Sequence, residues 1–305
     1  MIANQKHRGP DASGTYVNDF VAFGHSRLSI IDLDPSSNQP FYSSDNKFIL
    51  IFNGEIYNYK EIRESLIDYH FRTHSDTEVV LAAYQAWGTN CLHQFNGMFA
   101  FAIWDVEKRA LFIARDRLGI KPLYVYDNNE SIVFSSEIRS LMECSFVKKK
   151  IDKGSFVDYL RYNTVHAPKT IIEGVKMLMP GHYIWVSDDE YKNEPYWDIN
   201  KYINQKSDNQ SYEEIKIEVK DRLTKSVKRR LVADVPFGAF LSGGIDSSAI
   251  VALMSEVSDE PVKTFNISFA EETFSEAKYA RIIAKKYKTD HTEIKLTPAE
   301  FLADL

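Results

Sequence analysis

The stretch FLSGGIDSSAIV (240–251) restricts the chain more than any other. Apolar residues lead into it and out of it, and between them lies a turn of glycine, serine and one aspartate. A strand, a bare turn and a helix in that order open a parallel βαβ unit. The sequence on both sides agrees. A long helix is expected over 211–231 and a strand in VPFGAFL. A helix follows in SSAIVALMSE and a strand in VKTFNISF, then a helix in FSEAKYARIIAKKY and a strand in HTEIKL. In the last helix Ala277, Ala280, Ile283, Ala284 and Tyr287 share one face. Ligands of such sheets sit beyond the carboxyl ends of the strands, where the N–H groups and dipole of the next helix favour an anion. Gly243 and Gly244 let backbone approach that anion closely. Ser242, Ser247 and Ser248 add donors, and Asp246 can reach a divalent ion. The expected guest is a phosphate group. The Gly-Lys-[Ser/Thr] ending of a γ-phosphate loop is missing, so that chemistry is excluded.

The residues before this unit read differently. FVAFGHSRLSII (20–31) and KFILIFNGEIY (47–57) are rich in β-branched and aromatic residues and predict strands. MFAFAIWD and ALFIARD, joined by Val106 to Arg109, predict a hairpin, as do PLYVY and SIVFSS around Asp127 to Glu130. Helices are expected over 77–88, with Val80, Ala83, Tyr84 and Trp87 on one face and Gly88 as the stop, and over 155–162. The pattern is layered α+β with antiparallel sheets. The polar run 204–210 reads as a linker, giving domains 1–203 and 204–305.

Composition narrows the function. Apolar residues are 44% of the chain and charged residues 26%, an ordinary globular balance. A net charge of −6 argues against a nucleic-acid partner, and Lys228-Arg229-Arg230 reads as a solvated helix face. Cys91 and Cys144, the only cysteines, stand beside apolar residues and read as small buried hydrophobes. Such cysteine usage, with no leader-like or membrane-length apolar run, points to a cytoplasmic chain without membrane contact.

HRGPD (7–11), GHSRLSIIDL (24–33), FNGEIYNY (52–59), SDTE (75–78), NGMFAFAIWD (96–105), RDRLGIKPLY (115–124), SSEI (135–138) and LSGGIDSS (241–248) together resemble the glutamine-hydrolysing asparagine synthetases, in the family's order and over nearly the whole chain. The resemblance implies an N-terminal Ntn-type glutaminase, an αββα sandwich. An α/β Rossmann-like ATP-pyrophosphatase domain follows, here incomplete. It also implies glutamine, aspartate and ATP as small-molecule substrates, Mg²⁺ as the ion, and ammonia passed from glutamine to a β-aspartyl adenylate. By motif position the glutamine pocket is Arg27, Leu28, Ser29, Ile30, Ile31, Asn53, Gly54, Glu55 and Asp76. Arg27 would grip the α-carboxylate in a fork, and Glu55 and Asp76 would hold the α-ammonium. The Asn53 amide and Gly54 N–H would stabilise the oxyanion. The ATP site is Leu241, Ser242, Gly243, Gly244, Asp246, Ser247, Ser248 and Ile267, with Leu241 and Ile267 against adenosine and Asp246 on Mg²⁺.

Arg115, Asp116, Arg117 and Lys121 are expected to form an internal ion-pair network positioning the domains. His7, His25 and His291 are expected to be structural, since their spacing fits no compact zinc site. The family's nucleophile is a cysteine at the first position of the mature chain, whereas this sequence opens Met1-Ile2. The expectation is therefore a fragment that lacks the nucleophilic segment and most of the synthetase domain, with no glutaminase activity and weak or no ligase activity. Amidation of another carboxylate, closure of a β-lactam ring, and a non-catalytic glutamine- or nucleotide-binding module are the alternatives. A homodimer stays open.

Overall fold

The computed structural model describes residues 1–203, 210–269, 275–297 and 299–300. The chain divides into two compact units, Met1–Gln205 and Lys206–Leu305. Most of the expected linker, 204–209, lies outside the described residues.

In the first unit a 3-10 turn over Ile2–Arg8 leads into β1 (Ala12–Val17), which pairs antiparallel with β2 (Ala22–Arg27). β3 (Phe41–Tyr42) and β4 (Phe48–Ile56) follow, then α1 (Tyr59–Ser65), α2 (Asp76–Trp87) and α3 (Cys91–Gln94). The expected hairpin is present as β5 (Gly97–Asp105) and β6 (Ala110–Arg115), and its companion as β7 (Tyr124–Asp127) and β8 (Ile132–Ser135). α4 (Ile138–Leu141), α5 (Lys153–Tyr162), β9 (Val175–Met177), β10 (His182–Val186), β11 (Tyr191–Pro195) and α6 (Asn200–Ile203) complete the unit. Strands in the order β11-β10-β6-β5-β4-β3 make one antiparallel sheet. Facing it are two smaller sheets, β1-β2 and β8-β7-β9.

Period-two alternation sorts the residues of this sandwich. Ile49, Ala100, Ala102, Trp104, Ile113 and Ile184 point inward and meet Phe23, Leu123 and Val125 from the second layer. On the other face the Tyr84 ring of α2 stacks on Phe112, with centroids 5.4 Å apart. α2 departs from the one-faced helix predicted: every residue from Asp76 to Tyr84 is buried. Besides β4 it packs against α1, α3 and the 3-10 turn over Gly88–Asn90, which cover the rest of its surface. Gly88, at φ +58°, closes it as expected. Beyond the second layer, Tyr126, Leu141, Val147 and Val175 form a further core around α4. The layers are thus helix, sheet, sheet, helix.

The second unit starts with α7 (Tyr212–Arg230), whose capping box joins Ser211 and Glu214. β12 (Gly238–Phe240), α8 (Ile245–Val257), β13 (Lys263–Phe269), α9 (Ala277–Tyr287) and β14 (Asp290–Leu296) follow. β12, β13 and β14 pair parallel in sequence order, as the sequence predicts. Leu241, Val251, Ala280 and Ala284 form the core between α8, α9 and the sheet. No helix among the described residues is long and apolar enough to cross a membrane.

Candidate functional site

The site of the first unit grows out of the edge of β4. Across the β4–β5 pair Tyr57 N–H donates to Asn96 O (2.8 Å) and Val106 N–H to Lys47 O (2.9 Å). Odd-numbered residues of β4 therefore turn their backbone groups to β5, and even-numbered ones turn theirs to the other side, toward β3 at the start of the strand and past the end of β3 from Phe52 on. Of the latter, Phe52 N–H donates to Gln39 Oε1 (2.6 Å) and Ile56 N–H to Asp76 Oδ2 (3.0 Å). The Gly54 N–H between them faces a cavity of about 1360 Å³. Glycine is required there by space, since a Cβ would lie 2.2 Å from Met98 O. The side chains of Asn53 and Glu55 point between the layers. Asn53 Nδ2 donates to Ser136 Oγ (3.3 Å), which ties β4 to the end of β8.

Arg27, Asn53, Gly54, Glu55 and Asp76 all line this one cavity, as do Leu28, Ile30 and Ile31. Ser29 N–H instead donates to Asp11 Oδ2 (2.8 Å) and holds the turn after β2. Arg27 departs from the expected fork. It is buried, and its terminal nitrogens donate to Asp34 O (3.1 Å), Asn38 Oδ1 (2.8 Å), Ile31 O and Asp32 O. The guanidinium fastens the 28–38 loop, and a bidentate grip on a ligand would require it to release carbonyls.

Asp76 sits just after the Ser75 N-cap of α2, fully enclosed. Burial pushes its pKa up to about 7, and the Glu55 carboxylate adds to the rise, against the Ile56 and Thr77 N–H groups. His25 donates from Nε2 to Phe52 O (3.1 Å), and burial lowers its pKa to about 4, so it is neutral near pH 7.

Sequence reasoning missed Gln39, which caps Phe52, and Lys121, which lines the same cavity. Burial lowers the pKa of Lys121 while the Glu55 carboxylate opposes that. The expected ion-pair network around Lys121 is instead a backbone clamp inside the first unit. Arg115 donates to Lys121 O (2.7 Å), Gly119 O (2.7 Å) and Leu178 O (2.5 Å). Asp116 accepts from the N–H groups of Phe99, Leu118, Ile120 and Lys121, and Arg117 donates to His93 O. Sequence shows the charge of these groups but not the backbone carbonyls and N–H groups that surround them. Cys91 is buried, and burial pushes its thiol pKa up. Cys144 packs on the Tyr126–Leu141–Val147 core with one side on the cavity.

In the second unit the Ser-Gly-Gly turn caps α8 with no side-chain cap on the helix. Ser242 Oγ lies 3.0 Å from Ser247 Oγ and accepts from Gly244 N–H (3.3 Å). Gly243 is at φ +84°. Ser248 Oγ is buried with no partner among the described residues. Asp246 stands exposed in the first turn of α8. Leu241 differs from expectation: its side chain is in the core with Val251 and Ala280 and not open to a ligand. The Ile267 side chain is half-exposed on the face of β13 that carries Phe265 and Phe269. No group of three or more metal-ligating side chains occurs among the described residues. His7 bonds Glu137 (2.9 Å) and His291 bonds Thr264 (2.9 Å).

Two family profiles match the chain, one described as a glutamine amidotransferase domain over residues 1–197 and one as asparagine synthase over residues 218–305. Asparagine synthetase [glutamine-hydrolyzing] 1 of Bacillus subtilis is 38% identical over 303 residues, covering 98% of this chain and 47% of that protein. Putative asparagine synthetase [glutamine-hydrolyzing] 2 of Methanocaldococcus jannaschii is 36% identical over 311 residues, covering 94% and 59%. The chain thus spans about half the length of these curated relatives. A solved glutamine phosphoribosylpyrophosphate amidotransferase from B. subtilis aligns with a TM-score of 0.39 at 17% identity, over 93% of this chain and 56% of that one.

Proposed function

Because the chain belongs to the glutamine amidotransferase domain family over residues 1–197, with asparagine synthase sequence following it, we propose that it serves glutamine-dependent synthesis of an amide from a carboxylic acid, with asparagine as the product. The first unit binds glutamine as nitrogen donor. The second seats the pyrophosphate end of ATP while the acceptor carboxylate is adenylated. The observation that carries this reading is the Gly54 N–H, which faces the cavity between two N–H groups already capped by Gln39 and Asp76. One backbone donor so placed, with the Asn53 carboxamide beside it, suits the oxygen of a tetrahedral intermediate at an amide carbon. Glu55 and Asp76 offer carboxylates to the α-ammonium of the same ligand. Arg27 shapes the loop that encloses it. These residues supply the pocket for the hydrolytic step.

At the second seat the N–H groups of the first turn of α8 and the Ser242, Ser247 and Ser248 hydroxyls take up phosphate oxygens. Mg²⁺ on a nucleotide draws most of its ligands from phosphates and water, so the single Asp246 carboxylate fits it. The ion would neutralise the charge of the departing pyrophosphate.

Asp76 gives this reading a pH test. Only its ionised form attracts an ammonium, and its pKa is about 7. Glutamine affinity is expected to rise roughly tenfold from pH 6 to pH 8, following the ionised fraction. Calorimetric titration with L-glutamine at the two pH values checks this, and Asp76→Asn should weaken binding and flatten the profile. The fold responds in the opposite sense. The pKa is raised in the folded chain, so between about pH 4 and pH 7 the folded state keeps a proton that the unfolded state has lost. Stability falls across that interval by about 4 kcal/mol in all. Asp76→Asn should abolish that decline, as read from urea midpoints.

A further inference from the structure

The inward row of β13 is polar. Thr264, Asn266 and Ser268 are all buried, where a strand of a parallel sheet beneath helices ordinarily presents Val, Ile or Leu. Thr264 has its own partners in Thr289 and His291. Asn266 is tied to the phosphate turn. Its Nδ2 donates to Leu241 O at 2.8 Å. The orientation of the amide is fixed by that partner, because a carbonyl can only accept.

The register shows what this bond replaces. Leu241 N–H donates to Phe265 O (2.8 Å), continuing the parallel β12–β13 ladder by one residue. In a regular parallel ladder the Leu241 carbonyl would next accept from the Ile267 N–H. The Asn266 side chain takes that carbonyl instead. The ladder stops there, the chain turns away into Ser242-Gly243-Gly244, and the Ile267 N–H is left pointing past the end of β12. The substitution has a cost: Asn266 Oδ1 is buried without a partner among the described residues. A valine would fill the same place without that penalty. The amide stands where an unpartnered oxygen is costly, and its one bond holds the last peptide before the turn.

We propose that Asn266 is a positioning residue for the nucleotide seat, ending the β12–β13 ladder at Leu241 so that the Ser242–Gly244 turn and the Ile267 N–H stay open to ligand. This rests on the reading of the second unit as an ATP site. Asn266 itself touches no phosphate. It acts through the Leu241 peptide, which fixes where the turn begins.

The test is Asn266→Val in the 305-residue chain. Valine lets the Leu241 carbonyl pair with the Ile267 N–H, so the ladder should zip one residue further. The variant should be at least as stable to urea as the parent. The Ile267 amide proton should exchange at least about tenfold more slowly, and Mg-pyrophosphate, titrated calorimetrically, should bind at least about tenfold more weakly. Adenosine, which lacks phosphates, gives the second arm and should lose less of its affinity than pyrophosphate does. A residue that merely supports the core would lose stability and binding together. Unchanged Ile267 exchange, or pyrophosphate affinity equal to the parent's, would overturn the proposal. If the parent chain binds neither MgATP nor Mg-pyrophosphate, the nucleotide reading fails. The exchange of Ile267 then still decides whether Asn266 ends the ladder.

Discussion

Asp116→Ala is expected to cost the first unit about 5 kcal/mol, about a third or more of the stability of an ordinary domain. The carboxylate is buried, and it accepts four backbone N–H groups. Leu118 and Ile120 donate to Oδ1 (3.1 and 2.9 Å), and Phe99 and Lys121 to Oδ2 (3.1 and 3.0 Å). Alanine leaves all four without that acceptor, the Phe99 N–H in a buried place and the other three in a part-buried turn. Asp116→Asn should fall between, since one carboxamide oxygen keeps two of the four bonds and the NH₂ faces the other two donors. The effect should extend to the cavity, because the same turn presents Lys121. Urea denaturation followed by tryptophan fluorescence measures the loss. An alanine variant within about 1 kcal/mol of the parent would show that the clamp is dispensable.

Gly243→Ala should be the most damaging change in the second unit, at about 3 kcal/mol or more. The residue is at φ +84°, which an L side chain rarely adopts. An added Cβ would lie 2.5 Å from Tyr279 Cβ and 2.6 Å from Ala280 N. The turn is therefore seated on the first residues of α9, and alanine must push the two apart. Gly244 provides the contrast within the same motif. Its φ is −66°, and its nearest neighbour to a Cβ is Ser242 Oγ at 3.4 Å. Gly244→Ala should cost less than about 1 kcal/mol. Thermal unfolding of the two variants side by side checks the difference, and equal losses would contradict this account of the turn.

The strands and helices that follow local rules were legible in the sequence. The β5–β6 hairpin shows its polar link at Val106 to Arg109, and α7 its Ser211–Glu214 box. The parallel order of β12, β13 and β14 follows from strands separated by helices. What the sequence could not show was set by distant partners. Asp76 is an N-terminal helix residue in sequence, yet its pKa is governed by burial and by Glu55 from another strand. Arg27 has the chemistry of a carboxylate fork, and only the fold reveals that it is engaged by the carbonyls of residues 31–34. FNISF shows alternation, which places Asn266 on the inward face. Its bond to Leu241 spans 25 residues and leaves no local signal. Gln39 is in the same position, with a partner 13 residues away on β4.

The most direct measurement is the amide resonance of Gly54 during titration with L-glutamine. If β4 is the nitrogen-donor site, the Gly54 proton should move saturably, with a shift among the largest in the chain, and D-glutamine should fail to reproduce it. A Gly54 resonance that stays still while glutamine binds elsewhere, or at saturating glutamine with no binding at all, would contradict the assignment.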